Sequence, residues 1–139
     1  MSGAAIQIEG LTKVYQGEIG KPRVTGLKDL NCVVNAGEVY AFLGPNGAGK
    51  TTAIKCMTRL LRPTRGRIQI LGRDGRRRET MNRVGYLPEQ PNLYGYLTGR
   101  EFLDFIARLF SLSAKWRKQR IDSLMHRVGM ADKASMLIR

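Results

Sequence analysis

The first part of the chain alternates apolar and polar residues. Ile6 and Ile8 are separated by Gln7, and Glu9 follows before the next apolar residue. A period of two is typical of a strand with one buried face, so the pattern predicts a strand over residues 6–11. A glycine-rich loop over residues 17–26 and a second strand at about residues 30–34 are expected to follow.

Residues 39–43 form a short, wholly apolar run that begins two residues after Gly37. Such a run is typical of a parallel strand that is buried on both faces. A helix is predicted over residues 50–61, because its apolar residues recur at three- and four-residue spacing before Pro63. A further strand is predicted over residues 67–71, with Gly72 at its end. The apolar helix positions are Ile54, Met57, Leu60 and Leu61.

The pattern becomes helical in the last third of the chain. Thr98 and Glu101 have the spacing of a capping box, and Ser113 can cap a second helix that Gly129 ends. We therefore expect an α/β core over residues 1–92 and the beginning of a helical subdomain over residues 93–139. The apolar positions expected to be buried are Phe102, Phe105, Ile106 and Leu109 in the first helix and Ile121, Leu124, Met125 and Val128 in the second.

Between the apolar run and the first helix, the sequence fits the pattern G-x-x-x-x-G-K-[ST]. A glycine-rich turn in this position brings several backbone N–H groups close to a phosphate, and the helix N-terminus adds its positive dipole end. The motif therefore predicts nucleotide binding. The alternative is a tight strand-to-helix turn that ends in Lys-Thr by coincidence. The matching residues are Gly44, Pro45, Asn46, Gly47, Ala48, Gly49, Lys50 and Thr51.

Two side chains of this loop carry the expected chemistry. Lys50 would place a mobile positive charge at the β and γ phosphates of a nucleotide, and the hydroxyl of Thr51 would be a ligand of Mg²⁺. The loop alone does not choose among kinases, GTPases and ATPases; the family resemblance described next implies that the cofactors are ATP and Mg²⁺.

Several segments in this order resemble the ATP-binding domain of ABC transporters over almost the whole chain. The resemblance implies a P-loop NTPase core with N-terminal antiparallel strands. The run 93–101 is similar to the branch of the family that powers exporters. The segments that carry the resemblance are residues 11–15, 35–40, 44–52, 62–68 and 84–89.

The resemblance also assigns roles to residues outside the loop. Tyr15 would stack on the adenine, although a tyrosine packed at a strand end is an alternative interpretation. Thr52 would reach the α-phosphate. Many family members place a glutamine that bridges Mg²⁺, the attacking water and the membrane partner where this chain has Glu89, and Gln90 follows it. Either of these two residues is a candidate for the metal.

The family pattern continues with motifs that are not found in these 139 residues. They are a glycine-rich signature, a strand ending in a Mg²⁺-orienting Asp and a catalytic Glu, and a switch histidine. The only histidine, His126, is expected on the surface of a basic helix. We therefore expect the N-terminal portion of a larger ATPase, a sheet that lacks some family strands, Mg-ATP binding, and little hydrolysis by these residues alone. The alternatives are a regulatory module that binds nucleotide without hydrolysis and a basic nucleic-acid-binding protein whose loop is incidental.

The chain has 24 Lys and Arg against 11 Asp and Glu, a formal net charge of +13. Such an excess is typical of proteins that meet nucleic acid or an anionic membrane. No recognition-helix or RNA-binding aromatic pattern accompanies it, which does not favour a nucleic-acid partner. The arginines between residues 59 and 83 form either an anion-binding patch or a solvated loop. They are Arg59, Arg62, Arg65, Arg67, Arg73, Arg76, Arg77, Arg78 and Arg83.

The two cysteines, Cys32 and Cys56, have no metal-ligand spacing and are expected to be reduced core thiols. No leader pattern and no apolar stretch of membrane-spanning length is found in the sequence. Together with the resemblance, this implies a cytoplasmic protein on the inner face of the membrane. Its expected partners are a transmembrane permease subunit and a second ATP-binding domain.

Overall fold

The computed structural model of the protein describes residues 3–17, 20 and 22–138. The chain divides into two compact units, Met1–Tyr86 and Leu87–Arg139. The division predicted from the sequence, after residue 92, falls within the second unit.

The first unit is built on a four-stranded antiparallel sheet in the order β2-β1-β3-β4. Its central strand β1 pairs with β2 on one side and with β3 on the other. Two paired edges explain why β1 extends beyond residues 6–11, for which alternation alone predicted a strand. The strands are β1 (Ala4–Tyr15), β2 (Val24–Asn35), β3 (Arg65–Ile70) and β4 (Arg73–Asp74).

A bulge in β1 sets which side chains enter the core. The register against β2 shifts between Ile8 and Leu11, where Gly10 has a positive φ of 59°. The extra residue turns Leu11 inward in place of Gly10. Ile8 and Leu11 are 2% and 0% exposed, so they form the centre of the first core.

The predicted loop over residues 17–26 is too long at its C-terminal end. β2 begins at Val24, which pairs with Tyr15, and the cross-strand ladder continues to Asn35. The loop prediction also includes residues 18, 19 and 21, which lie outside the described residues.

Helix α1 (Lys50–Met57) packs Ala53 and Cys56 against the sheet. It is shorter than the predicted helix over residues 50–61. The Thr58 hydroxyl donates a hydrogen bond to the carbonyl of Ile54 at 2.9 Å, and Arg59 adopts a left-handed φ of 59°. A residue in this conformation ends a helix.

The predicted strand over residues 39–43 does not form. These residues, like residues 84–87, are not in a ladder with any described residue. Val39 is 98% exposed and Leu43 is 90% exposed. A strand is stabilised by hydrogen bonds to a neighbouring strand, so apolar composition alone does not produce one. The expectation that the sheet lacks some strands of the family is consistent with this arrangement.

β3 and β4 form a hairpin whose two-residue turn is Leu71 and Gly72. Both have positive φ, 51° and 71°, as tight hairpin turns require. A short helix α2 (Arg78–Met81) follows. It is anchored by the buried hydroxyl of Thr80, which donates to the carbonyl of Asp74 at 2.9 Å.

The second unit contains α3 (Gly99–Leu109), α4 (Ala114–Arg127) and a 3-10 turn at Ala131–Lys133. The capping box of Thr98 and Glu101 and the Ser113 cap are confirmed. Ile121 and Met125 of α4 are buried with Ala134, and Leu103 of α3 packs against them.

The predicted buried face of α3 is partly wrong. Phe102 and Ile106 are half-buried, but Phe105 and Leu109 are exposed. The ring of Tyr94 lies 6.1 Å from that of Phe102 and 5.8 Å from that of Phe105. The aromatic residues of this unit therefore contact one another at its surface. On α4, Val128 is also exposed, against expectation.

Ion pairs join α3 to α4. Arg117 donates to Asp104 at 2.7 Å, and Arg100 donates to Asp122 at 2.5 Å. The hydrogen bonds from Arg117 and then from Arg108 lower the pKa of Asp104. In the part of the chain that the structure describes, no helix is both long and apolar enough to span a membrane.

Candidate nucleotide-binding site

The predicted phosphate loop leads directly into α1, and Gly49 is the residue at the helix N-cap. Its φ is 89°, in the region that favours glycine. A Cβ at this position would lie 2.6 Å from the carbonyl oxygen of Gly26 and 3.1 Å from Leu27. The loop therefore approaches β2 so closely that no side chain fits at residue 49.

Helix α1 begins without a side-chain cap. Gly49 offers no side-chain acceptor, and the first turn contains no acidic residue. The backbone N–H groups of Lys50, Thr51 and Thr52 belong to this turn, where an α-helix has no internal acceptors. Unpaired N–H groups at a helix N-terminus form an anion site. The first turn of α1 therefore has N–H donors without a side-chain acceptor at the position where the motif predicts a phosphate.

Lys50 lies across the loop. Its ammonium donates to the carbonyl of Gly44 at 2.6 Å and to that of Pro45 at 2.8 Å. The charge is therefore held at the loop by oxygen acceptors of the loop itself. Phosphate oxygens are stronger acceptors for an ammonium group than carbonyl oxygens are, so a bound polyphosphate could replace them.

The remaining loop residues face solvent. Asn46, Gly47 and Ala48 are exposed, and the N–H of Ala48 closes a turn with the carbonyl of Pro45 at 3.2 Å. Thr51 is exposed on the first turn of α1. A hydroxyl in this position is available to a ligand that approaches the loop.

Tyr15, at the end of β1, is joined to α1 by a hydrogen bond. Its hydroxyl lies 3.2 Å from the hydroxyl of Thr52. The side chain of Tyr15 is 39% exposed. The fold therefore brings together Tyr15 and Thr52, two residues predicted for the nucleotide and 37 positions apart in the chain.

Two further residues determine where the Tyr15 ring lies, and the sequence analysis did not identify them. A Cβ at Gly26 would meet the ring at 2.3 Å, so the ring occupies the space of a missing side chain. The ammonium of Lys13 lies 5.4 Å from the ring centroid. Lys13 is two residues before Tyr15 on the same strand. Alternate residues of a strand lie on the same face, so the sequence could have indicated that Lys13 lies near Tyr15.

Glu89 and Gln90 belong to the second unit, and both are exposed. Within the described residues, no group of three or more His, Cys, Asp or Glu side chains is arranged to hold a metal ion. The metal roles of Thr51 and Glu89 stay predictions.

The model of the ABC transporter family matches residues 27–139. The chain belongs to this family. A Nostoc protein described as an uncharacterised ABC transporter ATP-binding protein is 42% identical over 129 residues, which are 92% of this chain and 38% of that protein. The SkfA peptide export ATP-binding protein SkfE of Bacillus subtilis is 36% identical over 132 residues, 95% of this chain and 53% of that protein.

Among solved structures, an ATP-binding subunit of an ABC transporter superposes on this chain with a TM-score of 0.74. It is 30% identical, and the match covers 96% of this chain and 54% of that subunit. The predicted fold class, a P-loop NTPase core with antiparallel N-terminal strands, is thereby confirmed. The chain spans about a third to a half of the length of the curated ABC relatives it matches.

Proposed function

We propose that this chain is the N-terminal portion of the ATP-binding subunit of an ABC exporter and that it binds Mg-ATP at the loop 44–52. The observation that carries the proposal is the uncapped N-terminus of α1 with the Lys50 ammonium beside it. The family match and the similarity to a peptide export ATP-binding protein support the cellular role.

The residues present fit the phosphates of a nucleotide. The first-turn N–H groups would hold the β and γ phosphates, and Lys50 would exchange its loop carbonyls for phosphate oxygens. Thr51 would be a ligand of Mg²⁺, which neutralises part of the phosphate charge. Tyr15 would contact the adenine, and its hydrogen bond to Thr52 would hold the ring close to the α-phosphate.

The wider assembly is inferred from the family. We place the protein in the cytoplasm, on the inner face of the membrane, through contact with a transmembrane permease. A second ATP-binding domain would complete the nucleotide site, and ATP hydrolysis would then power export. Glu89 or Gln90 would link the metal to the permease.

The test of nucleotide binding is the affinity of the chain for Mg-ATP with and without the Lys50 ammonium. Lys50→Ala removes a charge-assisted hydrogen bond, which is worth about 1.5–3 kcal/mol. We expect binding, measured by calorimetry, to weaken by at least about tenfold.

Lys55→Ala is the matched control, because Lys55 is an exposed lysine in the last turn of the same helix. It removes the same charge from α1 without touching the loop, so its affinity should stay within about twofold of the native value. Equal affinities of the native chain and Lys50→Ala would refute the assignment.

A further inference from the structure

The first unit contains a cavity of about 590 Å³ away from the phosphate loop. It lies where the C-terminal end of α1 faces the start of β3 and the end of the β3–β4 hairpin. Cys56 lines it from α1, and Ile68 and Gly75 line it from the sheet side. Five arginines also line this cavity: Arg59, Arg62, Arg65, Arg67 and Arg76.

The charge of these arginines is largely unbalanced. Arg76 is paired with Asp74 at 2.9 Å, and its hydrogen bonds lower the pKa of Asp74 to about 2. Among the described residues, no carboxylate lies at ion-pair distance from the other four arginines. Glu9 is the cross-strand partner of Arg67, so its carboxylate offsets part of the charge of that arginine. Even with Glu9 counted, the arginines that line the cavity carry a net positive charge.

The backbone that carries three of the arginines is fixed to β1. Thr64 is the main anchor: its N–H donates to the carbonyl of Thr12 at 2.8 Å, and its hydroxyl accepts from the N–H of Val14 at 2.9 Å. The Lys13 ammonium donates to the carbonyl of Arg62 at 2.8 Å. A rigid frame reduces the entropy that a site must lose when it binds a ligand.

Two contacts fix the positions of Arg65 and Gly66. The Nε of Arg65 donates to the buried hydroxyl of Thr12 at 3.2 Å, which leaves its terminal nitrogens unused by that bond. Gly66 has a φ of 98°, and a Cβ there would lie 2.6 Å from the Cα of Leu11. The arginine-bearing segment therefore lies tightly against β1 in one conformation.

We propose that this cavity is a second anion site, which binds a compact molecule or headgroup carrying two or more phosphate groups. Guanidinium groups bind phosphate oxygens in pairs, a geometry that ammonium groups cannot provide. The volume falls within the range of small-molecule sites. The net positive charge of these arginines exceeds what a single carboxylate would balance, so the ligand carries several negative charges.

The second site is separate from the phosphate loop. The two lie at opposite ends of α1, whose eight residues span about 12 Å. The C-terminal end of α1 repels an anion with a charge equivalent to about half a negative charge. The net positive charge of the arginines around the cavity outweighs that repulsion.

The test uses inorganic tripolyphosphate and the Lys50→Ala variant, in which the phosphate loop is weakened. Calorimetry should still detect one tripolyphosphate site in this variant. Adding Arg59→Gln, Arg62→Gln and Arg67→Gln should weaken that site by at least about tenfold. Arg65 is left unchanged because its hydrogen bond to Thr12 is part of the fold.

The matched control replaces three arginines outside the cavity, Arg73→Gln, Arg77→Gln and Arg78→Gln, in the same background. It removes an equal charge, so binding should change by less than about twofold if the cavity itself is the site. Equal weakening by both triple variants would show a diffuse charge effect and overturn the proposal. So would the loss of all tripolyphosphate binding in Lys50→Ala alone.

Thermal unfolding followed by circular dichroism would show whether the cavity triple variant is folded. If it is not, the single variants Arg62→Gln and Arg67→Gln give the same test, each with a smaller expected loss. Phosphatidylcholine vesicles with and without cardiolipin, a lipid with two phosphate groups, identify the source of the ligand. Binding to both tripolyphosphate and cardiolipin vesicles would indicate a headgroup site, and binding to tripolyphosphate alone would indicate a free polyphosphate.

Discussion

Lys50 and Tyr15 both form hydrogen bonds with neighbouring residues. The ammonium of Lys50 is satisfied by two loop carbonyls, and the hydroxyl of Tyr15 is satisfied by Thr52. A charged or polar group that is already paired loses less conformational freedom on binding. The side chains of Lys50 and Tyr15 are therefore ordered beside the loop, and we expect them to lose little conformational freedom if a nucleotide binds there.

Gly26 tests whether the position of the Tyr15 ring matters for nucleotide affinity. In Gly26→Ala, the added Cβ would lie 2.3 Å from the ring, so the ring must move. We expect Mg-ATP binding to weaken by about 1–3 kcal/mol, the usual cost of losing an aromatic–base stack. Calorimetry would measure the change.

Two variants serve as controls for this prediction. Tyr15→Phe keeps the ring and removes only the hydroxyl, so most of the affinity should remain. Gly85→Ala adds a methyl group where no atom lies within 4 Å, so it should have no effect. If Gly26→Ala binds Mg-ATP as well as the native chain does, the ring position does not contribute to nucleotide binding.

The phosphate loop could be predicted residue by residue because its function depends on local spacing. Gly49 and Lys50 act through their own backbone and nearest neighbours, and the pattern encodes both. Gly26 could not be assigned in this way, because it acts on Tyr15 across the pairing of β1 with β2, whose register is not visible in the sequence.

The three longer helices begin in two different ways: α3 and α4 have a side-chain cap, and α1 has none. Helices α3 and α4 begin with Thr98 and Ser113, whose side chains accept hydrogen bonds from first-turn N–H groups. Helix α1 begins with Gly49, which offers no such acceptor. Of these three helices, α1 alone has no side-chain acceptor for its first-turn N–H groups.

The capping box of α3 should contribute measurably to the stability of the second unit. Thr98→Ala removes the acceptor of the Glu101 N–H and should lower the free energy of unfolding by about 1 kcal/mol. Chemical denaturation would measure it. Thr98→Ser, which keeps the hydroxyl, should retain most of the stability, and an equal loss in both variants would contradict the capping role.

The Thr98→Ala substitution should also alter the pKa of Glu101. The backbone N–H and then the hydroxyl of Thr98 lower the pKa of Glu101 from 4.5. Because the folded-state pKa is lowered, this stabilisation is present above the unfolded-state pKa and is lost as the pH falls through the folded-state pKa. In Thr98→Ala the hydroxyl is lost but the backbone N–H remains, so the pKa of Glu101, followed by NMR, should rise only part of the way toward its ordinary value.

The elements that could be predicted are those stabilised by local contacts. The caps of α3 and α4 and the turn at Gly72 depend on residues a few positions apart, and the structure contains all three. The strand prediction at residues 39–43 failed because apolar composition indicates burial but does not supply a pairing partner. The end of α1 was misplaced because Leu60 and Leu61 continue the helical spacing beyond the left-handed Arg59.

At the scale of the whole chain, basic residues outnumber acidic ones, and several large apolar residues are exposed. The net charge of +13 and a cavity lined by arginines indicate anionic partners. Val39, Leu43 and Leu87 are large apolar residues that face solvent. The match to the ABC family is strong over a chain that spans only part of its relatives.

Hydrogen exchange should reveal how unevenly the first unit is stabilised. Residues 6–11 lie in the central strand, where β1 is paired on both edges and packs against α1, so their amides should exchange slowly. Residues 39–43 have no ladder partner among the described residues, and two of them are almost fully exposed. Their amides should exchange nearly as fast as those of an unfolded peptide.

Mass spectrometry of peptides that cover the two segments would measure the contrast, with a dilution series to detect pairing between copies. Comparable protection of the two segments in dilute solution would contradict this structure of the first unit. Protection of residues 39–43 that disappears on dilution would instead show that a second copy supplies the missing strand.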